Sequence, residues 1–598
     1  MGILLLLISL LVLAGLVAGI VFGIRALTQG RDQFEEADPG IGTVRRLYFY
    51  LVSFVALMMT INGLVLLVAG VLEALFGATV ISSSNDSMLA WGIALILVGT
   101  PLWAFHWRLV IRQAREFPIE SRSIIRKVYL YGVMVIGASF VIGLGIQSLR
   151  VVFGDEGFRG YPWAAVLVWA IVWTYHLRVE TQEGQPTPET RAVRRLYLYS
   201  LSAVTLAIFA VGLGQVLHAV LREAYENLVS ANTLSRPGIR LSDGSISALL
   251  VGGGVWTGHW LYMAREDYDS TLRQIYIFGY TILGGVVTGL IAMGIVIYGI
   301  LEWNIGMPSA RNASSHFDFF PAAVASLLVA ATILVYHWIV SNRELQASER
   351  TPLGGRRSVP YALTAIGLVT TASAMIAVTT AIIDVVSHSG QAMIAGADLW
   401  RNQMALALTA TLFGIPMWAY YWTSVQRRVS REDGVARTHL ARRAFIFAVL
   451  AAGMLAFLAS ISEVLFVVIN GILEGDLSDV LEDARLSLSV IVPVAIFVPY
   501  HWMVYRADRE AASTLEEKDH ASRKAVTVLV EPGANVQGNL EAVLHYDVKG
   551  LRWADEDAEM PELSDSDYRE LAALIGGARG PSVLLVPDKG GYLVLSYE

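Results

Sequence analysis

The sequence contains no cysteine, which excludes disulfide bonds, iron–sulfur clusters and zinc sites built from thiolates. It is also poor in charge, because only 16% of its 598 residues are charged, against about 25% in an ordinary soluble protein. Enzyme signatures are missing too: it has no Walker sequence, no His-Glu-x-x-His and no Gly-x-Ser-x-Gly. We therefore expect no catalytic residues, no metal site and no nucleic-acid partner.

Apolar residues are abundant: they make up 55% of the chain and gather into long runs as far as Tyr505. A helix needs roughly 20 residues to cross the hydrocarbon core of a bilayer, and the runs have about that length. They lack the alternating polarity of barrel strands, so the sequence predicts an all-α polytopic membrane protein. About thirteen transmembrane helices are predicted: Ile3–Gly23, then 48–76, 89–110, 129–152, 161–178, 197–221, 245–263, 276–301, 320–340, 361–386, 402–424, 445–472 and 486–505.

The distribution of basic residues predicts the orientation of these spans. Arginine and lysine concentrate in every second loop, beginning with the loop after Gly23. Because basic loops stay on the cytoplasmic side, the N-terminus is predicted outside and residues 511–598 in the cytoplasm. We expect a multi-pass protein of the inner (plasma) membrane, with the lipid bilayer as its first partner.

A short basic and aromatic motif recurs at the start of every second span. It occurs at 45–50 (RRLYFY), 126–131 (RKVYLY), 194–199 (RRLYLY), 273–276 (RQIY), 357–361 (RSVPY) and 442–447 (RRAFIF). The span that follows each of these ends near a second mark, at His106, His176, His259, His337, Tyr421 and His501, which lie 70 to 84 residues apart. We call the first motif the entry motif, and interpret it as a basic collar with aromatic anchors at the lipid headgroups.

These two marks predict tandem repeats of two helices each, because an even number of spans returns the chain to the same side. The six predicted hairpins are residues 44–116, 117–186, 187–268, 269–350, 351–434 and 435–510. An N-terminal span and linker, residues 1–43, precede them.

The entry motif resembles that of an uncharacterised bacterial membrane family, domain of unknown function 5671. The resemblance extends over about residues 44–510 and implies about six tandem two-helix copies. It also implies a bacterial source. It implies no activity, because the family has none to transfer.

The composition changes after Ala511, where a charged linker, 511–524, leads to a soluble domain. Strands are predicted at 526–530, 583–586 and 592–596, and Ser564 or Asp565 can cap a helix that runs to about Ile575. We expect residues 525–598 to form an independent α/β domain with an antiparallel sheet and one main helix. From residue 521 onward, 7 basic and 13 acidic residues give a net charge of −6, so anionic lipid should repel this domain.

The five repeated histidines, His106, His176, His259, His337 and His501, admit two interpretations. Imidazole is a haem ligand and a proton relay, so the row could bind a cofactor, namely haem. Alternatively, each histidine lies near the cytoplasmic end of its span, where amphipathic rings belong whatever the function. Tyr421 in the fifth hairpin favours the second interpretation, because anchoring tolerates tyrosine and metal ligation usually does not.

Four acids late in the first spans of the hairpins are candidates for a transport path: Glu73, Glu302, Asp384 and Glu463. Glu463 is the deepest, since it lies 18 residues after Phe445, which is about 27 Å along a helix. An acid within the membrane is a functional candidate.

Three functions are compatible with these features. The first is a structural or regulatory scaffold, or a subunit of a complex, whose acidic domain docks a cytoplasmic protein. The second is a transporter or channel with a path between the hairpins, and the third is a haem-binding redox subunit.

Overall fold

A computed structural model describes residues 41–77, 84–154, 157–184, 187–229, 238–265, 267–268, 270–347, 354–387, 399–431, 437, 439–522, 524–530, 535–552, 563–588 and 591–597. Helices dominate the described residues, and a small sheet lies near the C-terminus. The chain divides into two compact units, residues 1–421 and 422–598. The predicted first span, Ile3–Gly23, lies outside the described residues.

Long helices follow one another from residue 41 to residue 522. They are α1 (Ile41–Phe76), α2 (Ser84–Glu116), α3 (Ile124–Phe153), α4 (Gly160–Gln182), α5 (Pro188–Val229), α6 (Asp243–Trp256), α7 (Thr271–Asn304), α8 (Phe320–Ala347), α9 (Gly354–Ser387), α10 (Leu399–Arg431), α11 (Leu440–Glu474) and α12 (Arg485–Ser522). They coincide in order with the twelve spans predicted after the first, two for each hairpin.

Ten of the described helices are long and apolar enough to cross a membrane, namely α1 to α12 without α4 and α6. The helix α4 is rich in tryptophan and tyrosine, whose polar ring atoms lower its mean hydropathy. The helix α6 has 14 residues with three consecutive glycines, and it continues as a π-helix, Thr257–Met263. A second π-helix, Ile275–Ile282, follows the first turn of α7. Helices are thus confirmed at all twelve places, while the count of membrane spans stays a prediction.

In the second, third and fourth hairpins, the second helix packs against two first helices. Helix α4 contacts α3 of its own hairpin and α1 of the preceding one, and the same holds for α6 with α5 and α3, and for α8 with α7 and α5. Glycine makes one of these crossings possible: a Cβ atom on Gly252 of α6 would lie 2.6 Å from the backbone nitrogen of Phe209 on α5. Because α4, α6 and α8 each lie between two first helices, the first four hairpins interlock.

The C-terminal domain contains a four-stranded mixed sheet with the order β2–β1–β3–β4. Its elements are β1 (Ala525–Val530), α13 (Val536–Leu544), β2 (Lys549–Arg552), α14 (Asp565–Gly577), β3 (Ser582–Asp588) and β4 (Gly591–Tyr597). The predicted cap is confirmed, since Ser564 and Asp567 form a capping box at the start of α14. The prediction of an antiparallel sheet with one main helix was wrong: β1 is parallel to β2 and to β3, and only β3 and β4 are antiparallel.

The reason for this difference is the helix α13, which sequence reasoning missed. A helical crossover between two strands returns the chain to the same end of the sheet, and it therefore makes the two strands parallel. Both helices pack on one face of the sheet, where Val528, Leu585, Leu540 and Ile575 are fully buried.

Side chains alternate between the two faces of a sheet along each strand, so Leu584, Val586, Leu593 and Leu595 lie on the opposite face. Leu584 pairs with Leu595 across the strands, and Val586 pairs with Leu593. Leu593 and Leu595 are exposed. Within the described residues, neither helix of the domain packs on this face, which we call the open sheet face.

Candidate functional site: clusters at the hairpin boundaries

All five repeated histidines are buried in the protein. Each Nδ1 atom lies 2.8 to 2.9 Å from the carbonyl oxygen four residues earlier in its own helix. A carbonyl oxygen only accepts hydrogen bonds, so each Nδ1 carries a proton and donates to that carbonyl. The rings pack among aromatic side chains. Each has the entry aromatic of its own hairpin as a neighbour, at centroid distances of 5.5 to 6.0 Å.

Three of the histidines lie in clusters of the same arrangement, which we call the tryptophan clusters. They occur where the first hairpin meets the second, the third meets the fourth, and the fifth meets the sixth. The first consists of Trp107, Arg126, Tyr129, Tyr175 and His176; the second of Trp260, Arg273, Tyr276, Tyr336 and His337; and the third of Trp422, Arg442, Phe445, Tyr500 and His501.

The tryptophan joins the two hairpins in each cluster. Its indole N–H donates a hydrogen bond to the tyrosine hydroxyl of the next hairpin, at 2.6, 3.0 and 2.6 Å in the three clusters. Its ring lies 5.4 to 5.7 Å from the histidine ring, centroid to centroid. The arginine guanidinium carbon lies over the same indole ring, at 5.7, 4.5 and 5.7 Å from its centroid, within the range of cation–π attraction.

Each of these arginines also forms an ion pair with an acid. Arg126 pairs with Glu183 at 2.5 Å, Arg273 with Glu344 at 2.6 Å, and Arg442 with Asp508 at 2.6 Å. The arginines are only 1% to 4% exposed, so their charges depend on these carboxylates.

Sequence reasoning did not single out these three acids, although a signal was present. Glu183, Glu344 and Asp508 each lie seven residues after the histidine of their hairpin, which is two turns along the same helix. A spacing of histidine, six residues and an acid would have found them, although the third hairpin shares it through His259 and Glu266.

The first and third hairpins use their entry arginines in a related way. Arg46 donates to Glu120 at 2.9 Å, and Arg195 pairs with Asp267, which also accepts a hydrogen bond from the Tyr199 hydroxyl. The interpretation of the entry motif as a collar at the headgroups is therefore wrong for the buried arginines. Their guanidinium groups face acids inside the protein because an unpaired buried charge would be costly.

His259 belongs to a different arrangement, at the boundary of the second and third hairpins. The Trp173 indole donates to the Tyr197 hydroxyl at 2.8 Å, and that hydroxyl lies 2.9 Å from His259 Nε2. In a neutral ring with its proton on Nδ1, Nε2 accepts this hydrogen bond from the Tyr197 hydroxyl. In the described residues, by contrast, the buried Nε2 atoms of His176, His337 and His501 have no hydrogen-bond partner.

The four candidate acids for a transport path have four separate partners. Glu73 accepts from the backbone N–H of Gly160 at 2.6 Å, at the start of α4. Glu302 accepts from the Tyr298 hydroxyl at 3.2 Å, Asp384 from the Gln403 amide at 2.6 Å, and Glu463 from the Ser487 hydroxyl at 2.7 Å. The contacts of Glu73, Asp384 and Glu463 join neighbouring helices, whereas that of Glu302 lies within α7. Glu463 lies on an exposed helix face.

No group of three histidines and acids is arranged to hold a metal ion in the part of the chain that the structure describes. The histidines are distributed over five hairpins, each with its own aromatic neighbours. The assignments of the histidines to a cofactor and of the acids to a path stay predictions.

These features define a class of protein: helical hairpins in tandem, with membrane-length helices joined by recurrent aromatic and ionic clusters. The family described as Domain of unknown function (DUF5671) matches this chain three times, at residues 46–175, 195–332 and 357–496. The matches cover more than half of the chain, which therefore belongs to this family. No curated protein and no solved structure matches it.

The limits of the three matches agree with the positions of the tryptophan clusters. Each match spans two predicted hairpins and contains the tryptophan and the arginine of one cluster. It ends within five residues before the histidine of that cluster. The resemblance to the family is confirmed in three tandem copies, each of which has a cluster between its halves.

Proposed function

We propose that this protein is a membrane scaffold that presents its acidic C-terminal domain to a partner protein in the cytoplasm. In this proposal the chain crosses the membrane thirteen times, as one N-terminal span and six hairpins grouped in three pairs. The N-terminus is outside and residues 511–598 are cytoplasmic, in accord with the distribution of basic residues. Activity of a periplasm-only reporter fused after Glu598 would contradict this orientation.

The proposal rests on the contacts that the recurrent polar residues make. The entry arginines pair with acids, and the cluster tryptophans donate to tyrosines of the next hairpin. A transporter keeps ionisable groups in a shared cavity, and a redox subunit keeps a histidine open to its cofactor. In this chain each cluster tryptophan joins one hairpin to the next, and each arginine pairs with an acid of its own hairpin while it lies over the tryptophan of the preceding one.

The open sheet face supports docking of a protein. Leu593 and Leu595 are exposed there, and apolar surface on a soluble domain often marks an interaction site. Residues 521–598, which include the domain, carry a net charge of −6. The partner that fits is a protein with an apolar patch bordered by basic residues, because opposite charges favour encounter and orientation.

Photo-crosslinking in intact cells tests this function. A photoreactive amino acid at Leu595 lies on the open sheet face, and one at Leu574, which is also exposed, lies on α14. We expect one defined crosslinked protein from position 595 and none from position 574. The crosslink should disappear when Leu593→Lys is added. Equal crosslinking from both positions, or none from either, would refute docking through the sheet.

Two measurements on the purified full-length protein test the alternatives. A haem absorption band that is lost in His176→Ala would establish a redox subunit. Ion or solute flux into proteoliposomes that is lost in Glu463→Gln would establish a transporter. We expect neither signal, and either one would overturn the scaffold.

A further inference from the structure

A groove lies at the ends of α5 and α7 that are predicted to face outside. It has a volume of about 640 Å³, and we call it the outer groove. Its walls are mainly apolar, because Val229, Ile300, Phe317 and Phe320 line it together with the ring of Tyr225. Binding sites for small organic molecules have volumes of about 300–1,000 Å³ and walls of this kind.

The segment between α7 and α8 forms one wall of the outer groove and is held by both neighbouring helices. Its short helix, Ala313–His316, ends in a buried histidine. His316 donates from Nε2 to the carbonyl oxygen of Gly299 on α7, at 2.8 Å. From α5, the Tyr225 hydroxyl donates to the carbonyl oxygen of Ser314, also at 2.8 Å. These two hydrogen bonds fix the distance between the walls.

Acidic residues border the outer groove. Arg222 of α5 pairs with Glu226 at 2.7 Å and with Asp318 at 2.9 Å, so one arginine stands between two carboxylates. Each of these acids directly follows an aromatic residue of the groove wall in the sequence. Over residues 222–229 and 298–320 there are four acids and two arginines, a net charge of −2 with histidine counted as neutral.

We propose that the outer groove binds an amphiphile with an apolar chain and a positively charged head group. The apolar walls accept the chain, and the faces of the Phe317 and Phe320 rings attract a cation. The acidic border attracts the same cation and repels an anionic head group. Apolar walls alone give little preference among membrane lipids, because lipid chains already surround the helices. The head group therefore determines which molecule is bound.

Photolabelling of the full-length protein in neutral maltoside micelles tests this proposal. The probes are a diazirine-labelled fatty amine and the matching fatty alcohol, which differ only in the charge of the head group. We expect the amine to label residues 312–320 about fivefold more than the alcohol, a preference that one exposed charge pair supplies. Asp318→Asn should reduce this preference, whereas Asp479→Asn, at an exposed residue of the sixth hairpin, should leave it unchanged.

A matched pair of substitutions tests whether the label enters the groove. Ala313 and Ser315 are both exposed on the same short helix, but only Ala313 lines the outer groove. Ala313→Phe fills the groove and should abolish the labelling, while Ser315→Phe should retain it. Equal labelling in these two variants, or equal labelling by amine and alcohol in the unaltered protein, would overturn the proposal.

Competition with lipids identifies the source of the amphiphile. If the occupant is a membrane lipid, added phosphatidylethanolamine should displace the fatty amine and phosphatidylglycerol should not. If the occupant is a free amphiphile, neither lipid should displace it. Displacement by phosphatidylglycerol as strong as that by phosphatidylethanolamine would refute a site for a positively charged head group.

Discussion

Replacement of Glu344 by Gln in the second tryptophan cluster should destabilise the protein strongly. Glu344 accepts hydrogen bonds from Nε and Nη2 of Arg273 at 2.6 to 3.2 Å, and Arg273 is only 4% exposed. Removal of one partner of a buried ion pair typically costs about 3–5 kcal/mol, because the other charge stays buried without compensation. Because Arg273 also donates to the carbonyl of Ala264 and lies 4.5 Å from the Trp260 ring centroid, it has no easy route to water.

The chain contains a matched control for this substitution. Arg222 and Glu226 form an ion pair within one helix at 2.7 Å, and both side chains are substantially exposed. Pairs of this kind contribute about 0.2–1 kcal/mol, so Glu226→Gln should have a small effect. Unfolding of the purified protein in mixed micelles measures both free energies.

The double variant Arg273→Met, Glu344→Leu separates the loss of the pair from the burial of an unpaired charge. It should be more stable than Glu344→Gln alone, because it leaves no unpaired charge in the protein. If Glu344→Gln loses no more stability than Glu226→Gln, the buried arginine does not depend on its carboxylate. That result would refute the stabilising role of the ion pairs in the tryptophan clusters.

Three further outcomes are expected. Gly252→Leu should lower the unfolding temperature by separating α5 from α6, whereas Gly254→Leu should not, since a Cβ there meets nothing within 4 Å. Trp260→Phe should cost about 1 kcal/mol of unfolding free energy through its lost hydrogen bond, while Trp338→Phe, at an exposed position, should cost less. Residues 525–598 expressed alone should fold, with stability that falls as the pH drops below about 4. The N–H and hydroxyl of the capping serine lower the pKa of Asp567, so the stabilising charge is present above the ordinary Asp pKa and is lost on protonation. In the Asp567→Asn variant, the loss of domain stability between neutral and acid pH should be smaller. Unfolding followed by circular dichroism measures it.

The sequence by itself determined the local structure. Apolar runs of membrane length predicted helices at the twelve places where the structure has them, because each run's composition and length decide whether it forms a long apolar helix. The capped helix at Ser564 and the positions of β1, β3 and β4 were also predicted correctly. These features depend on neighbours within a few residues, so the local pattern contains the information.

The partners of the recurrent side chains were decided only by the tertiary structure. Arg126 and Glu183 are 57 residues apart in the chain, and Trp107 and Tyr175 are 68 apart. No local pattern shows that they meet, because the meeting depends on how α4 lies between α1 and α3. The same packing buries the histidines that the sequence placed at an interface. It also places the tryptophan clusters at every second boundary between hairpins. The motifs recur at similar spacing along the chain, so the sequence gives no sign that the hairpins are grouped in pairs.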